Sequence, residues 1–191
     1  MVKIKILHLN RSNLFDLQMK FFLIGYMGSG KSTVGKLLSE ELNHKFYDLD
    51  QEIEKEYGLA ISEIFARRGE IFFRKAERKM LQKLIDLDED AIVSLGGGTP
   101  CYGDNMELIK NADLVRSIYL KLNIQTLLQR LKQEKEDRPM ISHLETEELL
   151  EEFIRKHLFE RGFYYNQSEK ILDCNDKDPS EITQELMETL R

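Results

Sequence analysis

Residues 25–32 read Gly-Tyr-Met-Gly-Ser-Gly-Lys-Ser, a match to G-x-x-x-x-G-K-[ST], with the apolar run Lys20 to Ile24 directly before it and a helical pattern directly after. No other stretch constrains the fold as much, because such a loop works only where a strand delivers it and a helix leaves it. Backbone N–H groups reach phosphate oxygens only where no Cβ intervenes, hence the glycines, and the start of the helix adds the positive end of its dipole. Lys31 is then the cation for the β- and γ-phosphates and Ser32 the hydroxyl for Mg²⁺. Gly28, Ser29, Gly30, Lys31, Ser32 and Thr33 form the expected ATP cradle. The alternative, a glycine turn with no ligand, does not explain the flanking strand and helix.

From Lys20 onward, short β-rich runs alternate with longer helical ones, the order of a parallel sheet with helices on both faces. Five strands are predicted: Lys20 to Ile24, Lys45 to Asp48, Ala91 to Leu95, Leu114 to Leu120 and Lys170 to Asp173. The expected class is therefore α/β, a three-layer fold around one five-stranded sheet. Between Ile53 and about Asp86, Gly58 and Gly69 separate three helical pieces, and residues of about 50–86 read as a helical insert over the sheet edge. Residues 132–139, Lys-Gln-Glu-Lys-Glu-Asp-Arg-Pro, are nearly all charged and read as a mobile loop, with a lid over about 132–142. A long helix is expected from Glu145 to about Phe159, and Pro179 opens a last one. Residues 1–18 precede this pattern as an N-terminal extension in which Val2, Ile4 and Ile6 alternate as an edge strand would. Residues 19–191 make one domain.

The charge balance of 28 Lys plus Arg against 34 Asp plus Glu, net −6, argues against a general nucleic-acid binder, so an anionic ligand needs a local cluster of cations. No apolar run is long enough to span a bilayer, and no signal-like segment opens the chain. Cys101 and Cys174 lack the spacing of a zinc site or redox pair and read as reduced thiols. The four histidines share no metal-site spacing. A cytoplasmic monomer without a membrane or nucleic-acid partner is expected.

The kind of phosphate-loop protein follows from what surrounds the loop. Asn175-Asp-Lys-Asp178 has the wrong order for a guanine-reading motif, and the third strand ends in Gly96 rather than an acid for the metal. The second strand ends in Asp48-Leu-Asp50, which puts two carboxylates on one face if the strand continues. Asp48 is then a metal ligand through water, and Asp50 accepts or orients the proton of an attacking hydroxyl. A solvated strand end with Asp50 capping a helix is the competing reading.

Taken together these residues resemble the shikimate kinase family over nearly all of Met19 to Arg191. The resemblance rests on the phosphate loop, the Asp48-x-Asp50 pair, Gly69-Glu70 followed by Phe73-Arg74-x-x-Glu77, Gly96-Gly97-Gly98, Arg138-Pro139, and Arg161 with Tyr165. It implies a nucleoside monophosphate kinase type of sheet and transfer of the ATP γ-phosphate to the 3-hydroxyl of shikimate, on the route to chorismate and the aromatic amino acids. It also implies that Arg74 and Arg161 grip the shikimate carboxylate, that Gly96, Gly97 and Gly98 meet the acceptor, that the insert of about 50–86 is the substrate-binding one, and that Arg138 is the lid arginine on the transferring phosphate. Glu77, one helical turn after Arg74, is placed to hold its guanidinium. Arg130 and the loop Asn175 to Pro179 are the candidates for adenine contacts. This chain reads Arg161-Gly-Phe-Tyr-Tyr165 where many members carry a proline, and Thr99-Pro100-Cys101 where small apolar residues are usual. Two other functions stay open from the sequence, a gluconate-type kinase and a regulatory module that binds ATP without transfer.

Overall fold

A computed structural model describes residues 18–135 and 138–190. The expected N-terminal extension and its edge strand, apart from Gln18, lie outside the described residues, as do residues 136 and 137 of the expected lid. Five strands, β1 (Lys20–Ile24), β2 (Lys45–Asp48), β3 (Ala91–Ser94), β4 (Val115–Lys121) and β5 (Lys170–Asp173), form one sheet in the order β2-β3-β1-β4-β5, every pair parallel. Parallel neighbours need long crossovers. Helices α1 (Lys31–Leu42), α2 (Leu49–Tyr57), α3 (Ile61–Ile85), α4 (Asn105–Asn111), α5 (Ile124–Gln133), α6 (Pro139–Ser142) and α7 (Glu147–Tyr165) occupy those connections, and α8 (Pro179–Leu190) follows β5.

Successive side chains of a strand point to opposite faces, so the burial of all of Phe21, Phe22, Leu23 and Ile24 means that both faces of the central strand are covered. The edge strands β2 and β5 stay partly exposed. On one face α1 packs very close to the sheet: a Cβ on Gly35 would sit 2.5 Å from the Phe46 ring. Among the described residues no helix is long and apolar enough to cross a membrane.

Register brings the functional loops together. Leu23 pairs with Ser94, and Ser94 pairs with Asp48, so β1, β3 and β2 end in one row. The phosphate loop, the glycine triplet and the Asp48–Asp50 segment therefore leave the sheet side by side at its carboxyl edge, where folds of this kind bind ligands.

The structure corrects several sequence boundaries. β3 stops at Ser94 and β4 is shifted by one residue, to Val115–Lys121. The strand does not continue through Asp50. Asp48 caps α2 with its side chain, accepting from the amides of Asp50 and Gln51, so Asp50 is a helical residue and the two carboxylates do not share a strand face. The competing reading had the cap on the wrong aspartate. The helical region thus begins at Leu49, while its breaks fall where the glycines predict: Gly58 ends α2 in left-handed geometry (φ 63°) and Gly69 interrupts α3 (φ 77°, ψ 170°). α5 carries the start of the charged run to Gln133, and Pro139 opens α6. α7 starts later than expected, at the Thr146 cap, and continues six residues further, to Tyr165. With Gly-Phe-Tyr after Arg161 and no proline, nothing removes a helical N–H there. α4 and a 3₁₀ turn at Thr99–Cys101 were not foreseen, being too short to show a period.

Candidate active site

The phosphate loop is shaped by two glycines in left-handed backbone, Gly28 (φ 76°) and Gly30 (φ 88°), which a Cβ would strain. It wraps one end of a crevice of about 530 Å³ whose wall includes Gly28, Gly30, Lys31, Ser32 and Thr33. Ser29 stays out of that wall. It is buried, with its amide donating to the Tyr26 carbonyl and its hydroxyl facing Gly25 and the Lys31 amine. The Lys31 amine donates to the Gly25 and Tyr26 carbonyls, both at 2.9 Å. Burial lowers its pKa to about 8, against the pull of Asp50 and Asp48, so a cation is held in place by the loop's own backbone.

Ser32 Oγ donates to Asp48 Oδ2 at 2.8 Å, while Asp48 Oδ1 caps α2. Asp50 lies deeper. Burial, helped by the nearby Asp48 and Glu77 carboxylates, pushes its carboxyl up to about 6. A Cβ on Gly96 would stand 3.0 Å from Asp50 Oδ1 and 2.9 Å from Thr99 Oγ1, so glycine at 96 is what lets this carboxylate reach the crevice floor.

A second cavity of about 310 Å³ continues from the first. Asp50, Gly96, Gly97, Met27 and Arg138 line both. Of these two cavities only the second is lined by Arg74, Gly98 and Arg161, so both arginines stand at the end away from the phosphate loop, with Arg74 also bordering a further cavity beside Glu70 and Tyr102. Arg74 Nη1 donates to Glu77 Oε2 at 3.0 Å, and the other Glu77 oxygen accepts from Thr99 Oγ1 at 2.7 Å. Glu77 is buried, and against the burial that would lower it this carboxylate holds the Arg74 guanidinium firmly charged. Thr99, outwardly a departure from small apolar residues, is thus the second anchor of Glu77. Arg161 comes from the last turns of α7, with its guanidinium 5.6 Å from the Tyr26 ring centre. Tyr165 ends that helix by donating its hydroxyl to the Gly97 carbonyl. Arg138 pairs with Glu134 beside both cavities.

The sequence profile of the shikimate kinase family matches residues 27–191. A shikimate kinase of Flavobacterium johnsoniae is 46% identical over 171 residues, covering 90% of this chain and 98% of that protein. The crystal structure of shikimate kinase from Bacteroides thetaiotaomicron superposes with a TM-score of 0.82 at 35% identity, covering 90% of this chain and 98% of the other. That of Acinetobacter baumannii shikimate kinase, in complex with shikimate, gives 0.80 at 30% identity, covering 94% and 96%. The chain belongs to the shikimate kinase family.

As a shikimate kinase family member it is an ATP-dependent kinase. Of the residues singled out from the sequence, the fold gathers Gly28, Gly30, Lys31, Ser32, Thr33, Asp48, Arg130 and Arg138 around the first cavity, with Lys177, Asp178 and Pro179 of the expected adenine loop. Arg130 Nη1 also donates to the Gly28 carbonyl at 3.4 Å. Sequence reasoning gave no role to Met27, which lines both cavities, or to Tyr102, whose ring centre lies 3.5 Å from the Arg74 guanidinium carbon. It also missed Tyr26, buried within the loop and bonded through its hydroxyl to His157 Nδ1 at 3.0 Å. Tyr26 and Met27 fill variable positions of the loop motif, which assign them no partner, and Tyr102 meets Arg74 only through the fold.

Proposed function

We propose that this chain transfers the γ-phosphoryl group of ATP to the 3-hydroxyl of shikimate, giving shikimate 3-phosphate and ADP for chorismate and aromatic amino acid synthesis. The observation that carries the reading is the two-ended crevice, with a phosphate loop at one end, a pair of arginines at the other and Asp50 between them. An acceptor with one carboxylate and a reactive hydroxyl across its ring fits that layout. Arg74 and Arg161 take its carboxylate, because a planar guanidinium binds two oxygens at once where an ammonium meets them as a point charge. Gly96, Gly97 and Gly98 let the ring lie against the backbone.

ATP lies along the loop, with Arg130 and the Asn175 to Pro179 loop at its base. Lys31 exchanges its two carbonyl partners for β- and γ-phosphate oxygens. Ser32 and Asp48 offer two hard oxygens 2.8 Å apart, a donor pair that fits a hydrated Mg²⁺ brought in with the nucleotide. When bound there, that ion would offset the negative charge of the phosphates. Arg138 leaves Glu134 for the transferring group. The acceptor oxygen then forms its bond to the γ-phosphorus as the bond to the β-bridging oxygen breaks, ADP departs, and the hydroxyl proton passes to Asp50. A carboxyl held near 6 is largely ionised at neutral pH, yet basic enough to receive that proton. Water is kept out by residues 132–142 acting as a lid, and residues 50–86 form the acceptor-binding insert of the single domain 19–191.

The same reading extends to a cytoplasmic monomer with neither nucleic acid nor membrane as partner, the mass being open to light scattering. The deciding experiment is coupled ADP release with shikimate, with gluconate and with no acceptor. Turnover with shikimate alone is expected. Turnover with gluconate instead would move the reading to a gluconate-type kinase, and ATP binding without turnover would make the chain a nucleotide-binding module.

A further inference from the structure

The Arg74 guanidinium is held by more than its partner Glu77. The Tyr102 ring centre lies 3.5 Å from its central carbon, well inside the range of a cation stacked on an aromatic face. Glu70 Oε1 accepts from Arg74 Nε at 3.3 Å and from the Tyr102 hydroxyl at 3.1 Å, so ring, carboxylate and guanidinium close a triangle. The glycine triplet completes the enclosure. A Cβ on Gly98 would stand 3.3 Å from Arg74 Nη1 and 3.4 Å from the Tyr102 ring, so guanidinium and ring press together against the one residue whose missing side chain makes room for both. Tyr102 itself is over a third exposed, so the fold does not need it as core.

We infer that Tyr102 is a positioning residue for acceptor binding: by stacking on Arg74 it fixes the plane in which that guanidinium meets a carboxylate in the neighbouring cavity. An arginine free to sample many rotamers loses that freedom when its ligand arrives, which weakens binding, whereas one already stacked loses little. The ring is the working part, and the hydroxyl adds the tie to Glu70. The inference rests on the reading of Arg74 as the carboxylate partner, and the test separates the two.

Steady-state kinetics on the full chain compare Tyr102→Leu, Tyr102→Phe, Arg74→Ala and the double variant Arg74→Ala/Tyr102→Leu. Tyr102→Leu is expected to raise the KM for shikimate about tenfold, while kcat and the KM for ATP stay within about twofold. Tyr102→Phe, which keeps the ring, should bring the shikimate KM back to within about threefold of the parent. Arg74→Ala should raise the same KM, and adding Tyr102→Leu to it should change nothing further. An unchanged shikimate KM in Tyr102→Leu, beside a raised one in Arg74→Ala, overturns the inference and leaves Arg74 in its role. The same factor persisting without Arg74, a parallel loss in kcat and ATP binding, or Tyr102→Phe behaving like Tyr102→Leu also overturns it. If Arg74→Ala itself leaves the shikimate KM unchanged, the role of Arg74 falls and the inference falls with it.

Discussion

The two ends of the crevice are built in opposite ways. At the nucleotide end, eight consecutive residues form the loop, and its lysine is held by carbonyls only five and six positions away. At the end proposed for the acceptor, the side chains come from α3, α7 and the turn after β3, and Glu77, Thr99, Tyr102 and Tyr165 each contact another group of the site. The nucleotide end is local and made mostly of backbone, whereas the acceptor end is assembled from distant side chains. A local site keeps its shape when its surroundings change, while an assembled one is tunable and easily misaligned.

The sharpest way to break that contrast is to remove the charge at the local end. Lys31→Met is expected to lower kcat by about 10³ with the shikimate KM little changed, as rapid-quench or coupled assays would read. Equal damage to shikimate binding would mean that the ends are not independent. At the assembled end, Arg161→Ala should raise the shikimate KM by about 10- to 100-fold while calorimetric ATP affinity stays put.

Asp50 sits between the ends and tests both. Asp50→Asn should cost about 10² or more in kcat yet make the protein more stable, by up to about 3 kcal/mol at neutral pH. The folded chain keeps this proton up to about 6 whereas the unfolded chain releases it near 4, so parental stability falls as pH rises through that window and the Asn variant should lose this slope. Melting temperatures measured from pH 4 to 7 decide it, and activity should rise over the same limb as Asp50 ionises. The smallest effect expected on function is that of Gly35→Ala. Its Cβ would meet Phe46 at 2.5 Å, which should destabilise by about 1–3 kcal/mol and leave both KM values unchanged, as denaturant unfolding and kinetics can show.

Legibility in the sequence follows the same division. The loop, the strand before it and the helix after it could be read directly, and so could the breaks at Gly58 and Gly69. Arg74 could not be told by its own residues from Arg67, Arg68, Lys75 and Arg78 around it; only resemblance selected it. In the fold the difference is plain, since Arg67 pairs with Glu63 at the surface while Arg74 lies against buried Glu77. What was hidden is the phase of the helix after Gly69, which no count of residues supplies. The Asp48-x-Asp50 pair was found for its chemistry but given the wrong geometry, because strand alternation and a helix start give the same spacing.

The latch from Tyr165 to the Gly97 carbonyl, with Gly98 against Arg74, refers α7 and α3 to the same three-residue turn. The gap between the two cationic grips is thereby gauged by stiff peptide units. On the proposed reading both guanidinium groups share one carboxylate, so this turn sets how wide an anion the pair can span, and width becomes a criterion of selection.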